Sequence, residues 1–197
     1  MASHPSDQFS RRSLFKGSGA VAAVSLVGQT AQAQTTTTSR VVSGESKITL
    51  NVNGKNMSAT VEPRTTLLDV LRYQLNLTGA KPVSSDGSSG ASTVLIDGRP
   101  AMASTVLALS AVGKKIETIE ARGVDDPVTR AFVSNDAQQC GFCTPGFVVA
   151  VRAFLNKNPQ ASEEEIRSGL NGNICRCGTY ANIIQAAVSI VKGDHHG

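Results

Sequence analysis

The spacing of apolar residues changes once along the chain, and that change divides it. Ile48, Leu50 and Val52 alternate with polar residues, and after Asn53-Gly54 the run from Met57 to Val61 alternates again. Alternation predicts half-buried strands, and Asn-Gly is the favoured two-residue hairpin turn. Thr65 or Thr66 is expected to cap a helix whose Leu67, Leu68, Leu71 and Leu75 share one face. A Gly- and Ser-rich loop runs from Lys81 to Ser92. Beyond it, Thr93 to Ile96, Asp97-Gly98 and Ala101 to Ser104 predict a second hairpin, and Lys115 to Ile119 predicts a last short strand. Two hairpins flanking one helix make a small α+β unit.

From Asp126 onward the period is helical. Asp126-Pro127 predicts the start of a helix through Ala131, Phe132 and Val133. Thr144 and Pro145 read as the N-cap and first residue of a second, with Val148, Val151, Phe154 and Leu155 inward. Ser162 to Glu165 is a capping box for a third helix around Ile166. Thr179 is expected to start a fourth, striped by Ile183, Ile184, Ala187, Val188 and Val191. These stripes read as core.

An apolar content of 40% over 197 residues suffices for one medium or two small domains, with only 4% aromatics. The formal charge is +4, but residues 1–33 hold Arg11, Arg12 and Lys16 against Asp7, leaving 16 basic and 14 acidic residues. That balance makes no case for nucleic-acid or membrane-surface binding. Ser10-Arg-Arg-Ser-Leu-Phe-Lys16, a mild apolar run from Ala20 to Gly28 and Ala31-Gln32-Ala33 read as a signal peptide of the twin-arginine type. The apolar run is too short to span a membrane. The mature chain is expected in the periplasm from near Gln34, behind a Thr- and Ser-rich linker to Glu45.

All four cysteines sit in two short pairs, Cys140-Gly-Phe-Cys143 and Cys175-Arg-Cys177. Four soft thiolates from two loops suit an iron–sulfur cluster or tetrahedral zinc, and an exported chain could instead form disulfides. A C-x-C pair makes a poor internal disulfide, and zinc usually takes C-x₂₋₄-C in both halves. Spacing alone leaves these open. A cluster at a helix N-terminus would have its negative charge favoured by the helix dipole.

Gln139-Cys-Gly-Phe-Cys-Thr-Pro-Gly146 together with Gly172-Asn-Ile-Cys-Arg-Cys-Gly-Thr-Tyr180 closely resembles the second-domain motif of the iron–sulfur subunits of molybdenum hydroxylases, the xanthine oxidase family. With the export signal, the chain looks like the small subunit of a periplasmic aldehyde dehydrogenase. The resemblance covers the chain from about Lys47 and includes Leu77-Thr-Gly79, Gly90-Ala91, Thr93-Val-Leu95 and Asp97-Gly-Arg99. It implies an α+β protein, with a β-grasp ferredoxin-like domain at 46–122 followed by a four-helix [2Fe-2S]-binding domain at 123–193. It implies that Cys140, Cys143, Cys175 and Cys177 hold a [2Fe-2S] cluster, and that Gln139 and Cys177 touch the pterin of a molybdenum cofactor. That cofactor would belong to a large partner subunit where substrate is oxidised, with an FAD subunit or external acceptor receiving the electrons. This chain supplies no catalytic acid, base or nucleophile.

The family's first domain carries another [2Fe-2S] cluster on a C-x₄-C-x₂-C pattern with a distant fourth Cys. Here those positions read Ser84, Ser89, Ser92 and Ser104. Hydroxyl oxygens are hard donors that part with a proton far less readily than thiols, so no cluster is expected there and its loop is expected to lack an organising centre. Two functions follow. One is an electron-transfer subunit with one cluster and impaired turnover, and the other is a redox-incompetent assembly or export subunit. Tyr73, Tyr180, His195 and His196 read as structural or incidental.

Overall fold

The computed structural model describes residues 42–193, so the export signal, most of the linker, His195 and His196 lie outside the described residues. β1 (Ser46–Val52) and β2 (Lys55–Val61) pair antiparallel in the register Ser46↔Val61 to Val52↔Lys55. Asn53 and Gly54 turn between them with φ of 53° and 76°, the doubly positive geometry that a tight hairpin demands. The alternation resolves as expected: Ile48, Leu50, Val52, Ala59 and Val61 are buried.

β3 (Thr93–Ile96) pairs antiparallel with β4 (Arg99–Met102). β4 falls two residues earlier than expected, because the Asp97-Gly98 turn fixes Ile96 opposite Arg99. Ser104 leaves the strand and turns back toward Ser92. β5 (Lys115–Glu117) inserts parallel to β1 and antiparallel to β3. The sheet order is therefore β2-β1-β5-β3-β4, a β-grasp arrangement. β5 ends early because Asn53 holds Thr118 at both its N–H and its hydroxyl (each 2.9 Å), and a 3₁₀ turn follows at Ile119–Ala121.

The leucine-rich helix is shorter and wider than its spacing predicts. Thr66 caps α1 (Leu67–Asp69) by accepting from Asp69 N–H at 3.1 Å. The chain then opens into a π-helical turn, Val70–Gln74, closed by Leu75 N–H on Val70 C=O at 3.0 Å. The wider turn buries Val70 beside Leu67, Leu68 and Leu71, and leaves Leu75 only partly covered. Arg72 fastens the following loop by donating to the carbonyls of Thr78 and Ala80.

The helical part is α2 (Pro127–Ser134), α3 (Thr144–Lys157), α4 (Glu163–Gly169) and α5 (Tyr180–Lys192). Asp126 caps α2 through the N–H groups of Val128 and Thr129, and the Ser162–Glu165 box caps α4. α3 starts one residue earlier than expected. Cys143 occupies the N-cap position, and the Thr144 hydroxyl is buried without a hydrogen-bond partner. α3 also buries two faces. Val148, Val151 and Leu155 join the helical core with Ile166, Ile183 and Ile184, while Val149 and Ala153 pack on Leu95 of β3. Among the described residues, no helix is long and apolar enough to cross a membrane.

Candidate metal centre

Three segments that carry the chemistry meet at one crowded junction. They are the serine loop, the start of α3 behind Cys143, and the turn leading into Cys175. Asn173 is 6% exposed, and its side-chain amide donates to Gly90 C=O at 2.9 Å and lies 3.4 Å from the Thr93 hydroxyl. Next to it, Ile174 N–H donates to Ser89 C=O at 3.0 Å. A Cβ at Gly90 would meet Gly172 O at 2.3 Å, and one at Gly146 would meet Gly90 O at 2.4 Å. Gly90 also has φ of +67°, a conformation costly for other residues. Only backbone fits here.

From this junction the two cysteine segments are brought to face each other. All are free thiols, with Cys175 buried, Cys143 and Cys177 half-buried and Cys140 exposed. Electrostatic coupling links them in pairs. Cys143 is pushed up to about 12 by burial, by donating to the Cys175 sulfur, and by the charges of Cys175 and Cys140. Burial pushes Cys175 the same way, but hydrogen bonds from the Thr179 side chain and backbone, from Cys143 and from Cys177 N–H bring it down to about 7. Cys140 is lowered by the N–H of Phe142 and by a hydrogen bond from Cys177. Cys177 feels the lowering N–H of Cys140, yet its own donation to Cys140, burial and the nearby thiolates raise it on balance. The pairs are Cys140 with Cys177 and Cys143 with Cys175. Each joins one loop to the other.

This pairing bears on which centre fits. Among the described residues, no three His, Cys, Asp or Glu side chains gather closely enough to hold a single metal ion. A tetrahedral zinc site needs its donors around one point, whereas a binuclear iron–sulfur core takes its thiolates two by two. Four soft thiols in two cross-loop pairs fit the latter. Gln139 is exposed beside Cys140. Phe142, Ile174 and Tyr180, which flank the thiols in sequence, are also exposed, at 50%, 52% and 39%.

The four serines meet in two pairs and satisfy one another. Ser84 and Ser89 share a hydroxyl hydrogen bond of 2.7 Å, and Ser92 and Ser104 share one of 3.0 Å. Ser89 N–H donates to the Ser84 oxygen, and Ser92 and Ser104 are buried. Hard oxygens in direct contact are not a donor set for an iron–sulfur core. The loop does have an organising centre, contrary to the expectation drawn from its serines. It is built of these pairs, of Lys81 N–H on Ala91 C=O, and of the bonds to Ile174 and Asn173.

Three residues of the Gly172–Tyr180 motif contribute beside its cysteines. Asn173 is a buried polar residue, Thr179 is expected only to start a helix, and Tyr180 reads as structural, yet the Tyr180 hydroxyl accepts from Cys175 N–H at 2.7 Å. The Thr179 hydroxyl lies 3.1 Å from the Cys175 sulfur.

Comparison with known proteins gives the same picture. Residues 115–188 match the family described as [2Fe-2S] binding domain. The chain is 38% identical over 203 residues to the aldehyde oxidoreductase iron-sulfur-binding subunit PaoA of Escherichia coli, covering 93% of this chain and 88% of that one. It is 40% identical over 139 residues to the nicotinate dehydrogenase small FeS subunit of Eubacterium barkeri, covering 69% and 88%. Among solved structures, a chain of quinoline 2-oxidoreductase from Pseudomonas putida is similar with a TM-score of 0.69 at 37% identity, over 76% of this chain and 98% of that one.

Proposed function

From the premise that the chain belongs to the iron–sulfur small subunits of the molybdenum hydroxylases, we propose that it serves a periplasmic aldehyde-oxidising complex and works with one [2Fe-2S] cluster rather than two. Electron transfer through a bound iron–sulfur centre is the family's role, and the observation that carries this reading is the pair of cross-loop thiol couples beside two closed serine pairs. Cys140 and Cys177, and Cys143 and Cys175, would hold the cluster, which when bound supplies a one-electron relay. The chain's own residues do the rest. The N-terminus of α3 places positive dipole ends at Cys143, and Asn173 keeps the Cys175 turn against the serine loop. Exposed Gln139, Phe142, Ile174 and Tyr180 near the thiols offer a surface for the large molybdenum-cofactor subunit, with Gln139 and Cys177 toward its pterin.

Ser84, Ser89, Ser92 and Ser104 provide no relay in the first domain. Electron tunnelling falls steeply with distance, so transfer to an FAD subunit or external acceptor is slow while reduction by substrate persists. The same serine pairs favour a second reading, a redox-incompetent assembly or export subunit. Both are tested on the complex coexpressed with its large subunit, by iron and labile sulfide analysis and low-temperature EPR. Two irons with one cluster signal, fast reduction by substrate and weak steady-state turnover support the first reading. Four irons with two signals overturn it, and a cluster that substrate never reduces favours the second.

A further inference from the structure

Thr179 stands where a helix N-cap stands, yet it does not cap. Its backbone, with φ −76° and ψ 13°, is not the extended conformation from which a threonine hydroxyl reaches the second or third N–H of its helix, and no such bond is made to α5. The residue is 4% exposed, so the hydroxyl is shut away from water. Its partner is the sulfur of Cys175, at 3.1 Å. Cys175 is itself 7% exposed, and its N–H is taken by the Tyr180 hydroxyl.

We infer that Thr179 is a positioning residue that sets the reduction potential of the cluster through an O–H···S hydrogen bond to Cys175. The inference rests on Cys175 being a cluster ligand, as proposed above. A metal-bound thiolate has no proton to give, so the hydroxyl is the donor. On reduction the centre accepts one electron and no bond is made or broken; the added negative charge lies partly on sulfur. A donor aimed at that sulfur stabilises the reduced state more than the oxidised one, and hydrogen bonds to sulfur are among the levers that set these potentials. Burial strengthens the effect because no water competes for the hydroxyl.

The test is an EPR-monitored redox titration of the coexpressed complex, comparing the parent with Thr179→Val and Thr179→Ser. Thr179→Val keeps the shape and removes the donor, and is expected to disfavour reduction about tenfold, a shift of ~59 mV to more negative potential for one electron. Thr179→Ser keeps the donor and is expected to stay near the parent. Pulsed EPR in D₂O provides a second readout, one exchangeable deuteron coupling to the reduced cluster that the parent and Thr179→Ser show and Thr179→Val loses, beside the couplings of the backbone N–H donors common to all three. Should the valine variant lose its cluster, Thr179→Ala takes its place in both measurements, and a potential and deuteron coupling equal to the parent's overturn the inference. A [2Fe-2S] signal whose potential ignores Thr179→Val overturns the tuning role alone. A parent with no [2Fe-2S] signal overturns the cluster reading with it.

Discussion

Gly146→Ala sets two effects of opposite sign against each other, and the structure decides between them. Gly146 lies within the first turn of α3, where alanine in place of glycine is favoured by helix propensity by ~1 kcal/mol. The added Cβ, however, would stand 2.4 Å from Gly90 O, 3.1 Å from Ala91 Cα and 3.2 Å from the Asn173 side-chain nitrogen. Two of these neighbours are backbone, and Gly90 O is the acceptor that Asn173 holds at 2.9 Å. The serine loop cannot yield without stretching that buried bond. Overpacking costs ~1–3 kcal/mol and a buried amide left without its acceptor a further ~1–3 kcal/mol, so after the propensity gain the net loss is about 3 kcal/mol. For a protein of this size that corresponds to roughly 6–12 °C in melting temperature. Thermal unfolding followed by circular dichroism measures it on the full chain. A variant as stable as its parent, or more so, would refute the claim that the three segments meet with no spare room.

Ser92→Ala is expected to cost ~1–3 kcal/mol, because it strips the partner from the Ser104 hydroxyl and the acceptor from Ser104 N–H. Ser104→Ala leaves Ser92 still accepting from that backbone N–H and should cost ~1 kcal/mol or less; equal losses in urea titrations would count against the pairing. Asp126 caps α2 and meets Arg152 of α3. Burial alone would raise its carboxyl, but Arg152 and the N–H groups of Thr129 and Val128 outweigh this and hold it below 3.8. A depressed folded value means the stabilisation is complete above 3.8 and is lost as pH falls through the folded value. Asp126→Asn should therefore be less stable than the parent at neutral pH, with the gap closing from about pH 5 downward; a pH-independent gap in urea midpoints would be the contrary result.

Strands and caps were legible because their signals are local. Asn53-Gly54 and Asp97-Gly98 dictate their turns, and Ser162 and Glu165 reach each other within one helical turn. The misread boundaries have tertiary causes. β5 stops where Asn53, 65 residues away, seizes Thr118, and the leucine helix widens into a π turn that buries Val70 with its neighbours. Helical periodicity recovered the face of α3 that meets the other helices but not the Val149 and Ala153 face, since a helix packed on two sides loses a single apolar stripe. Residue type makes Thr144 an expected cap and Thr179 the expected start of a helix. In each case the backbone placed the hydroxyl elsewhere, against no partner in one and against a sulfur in the other.

The serine and cysteine sites share a two-by-two pairing yet differ in what completes them. A hydroxyl is a good donor and a good acceptor, so two serines in contact satisfy each other, as Ser84 with Ser89 and Ser92 with Ser104 do. A thiol is poor at both, and hydrogen bonds that lower Cys140 and bring Cys175 down to about 7 favour the thiolate form that a metal takes up. The first site is therefore closed and the second open. The carbonyls of Ser89 and Gly90, which hold Ile174 and Asn173, belong to the backbone and are indifferent to whether serine or cysteine stands in the loop. A first domain built on hydroxyl pairs thus braces the Cys175–Cys177 turn through its backbone, a mechanical role separate from any role in conduction.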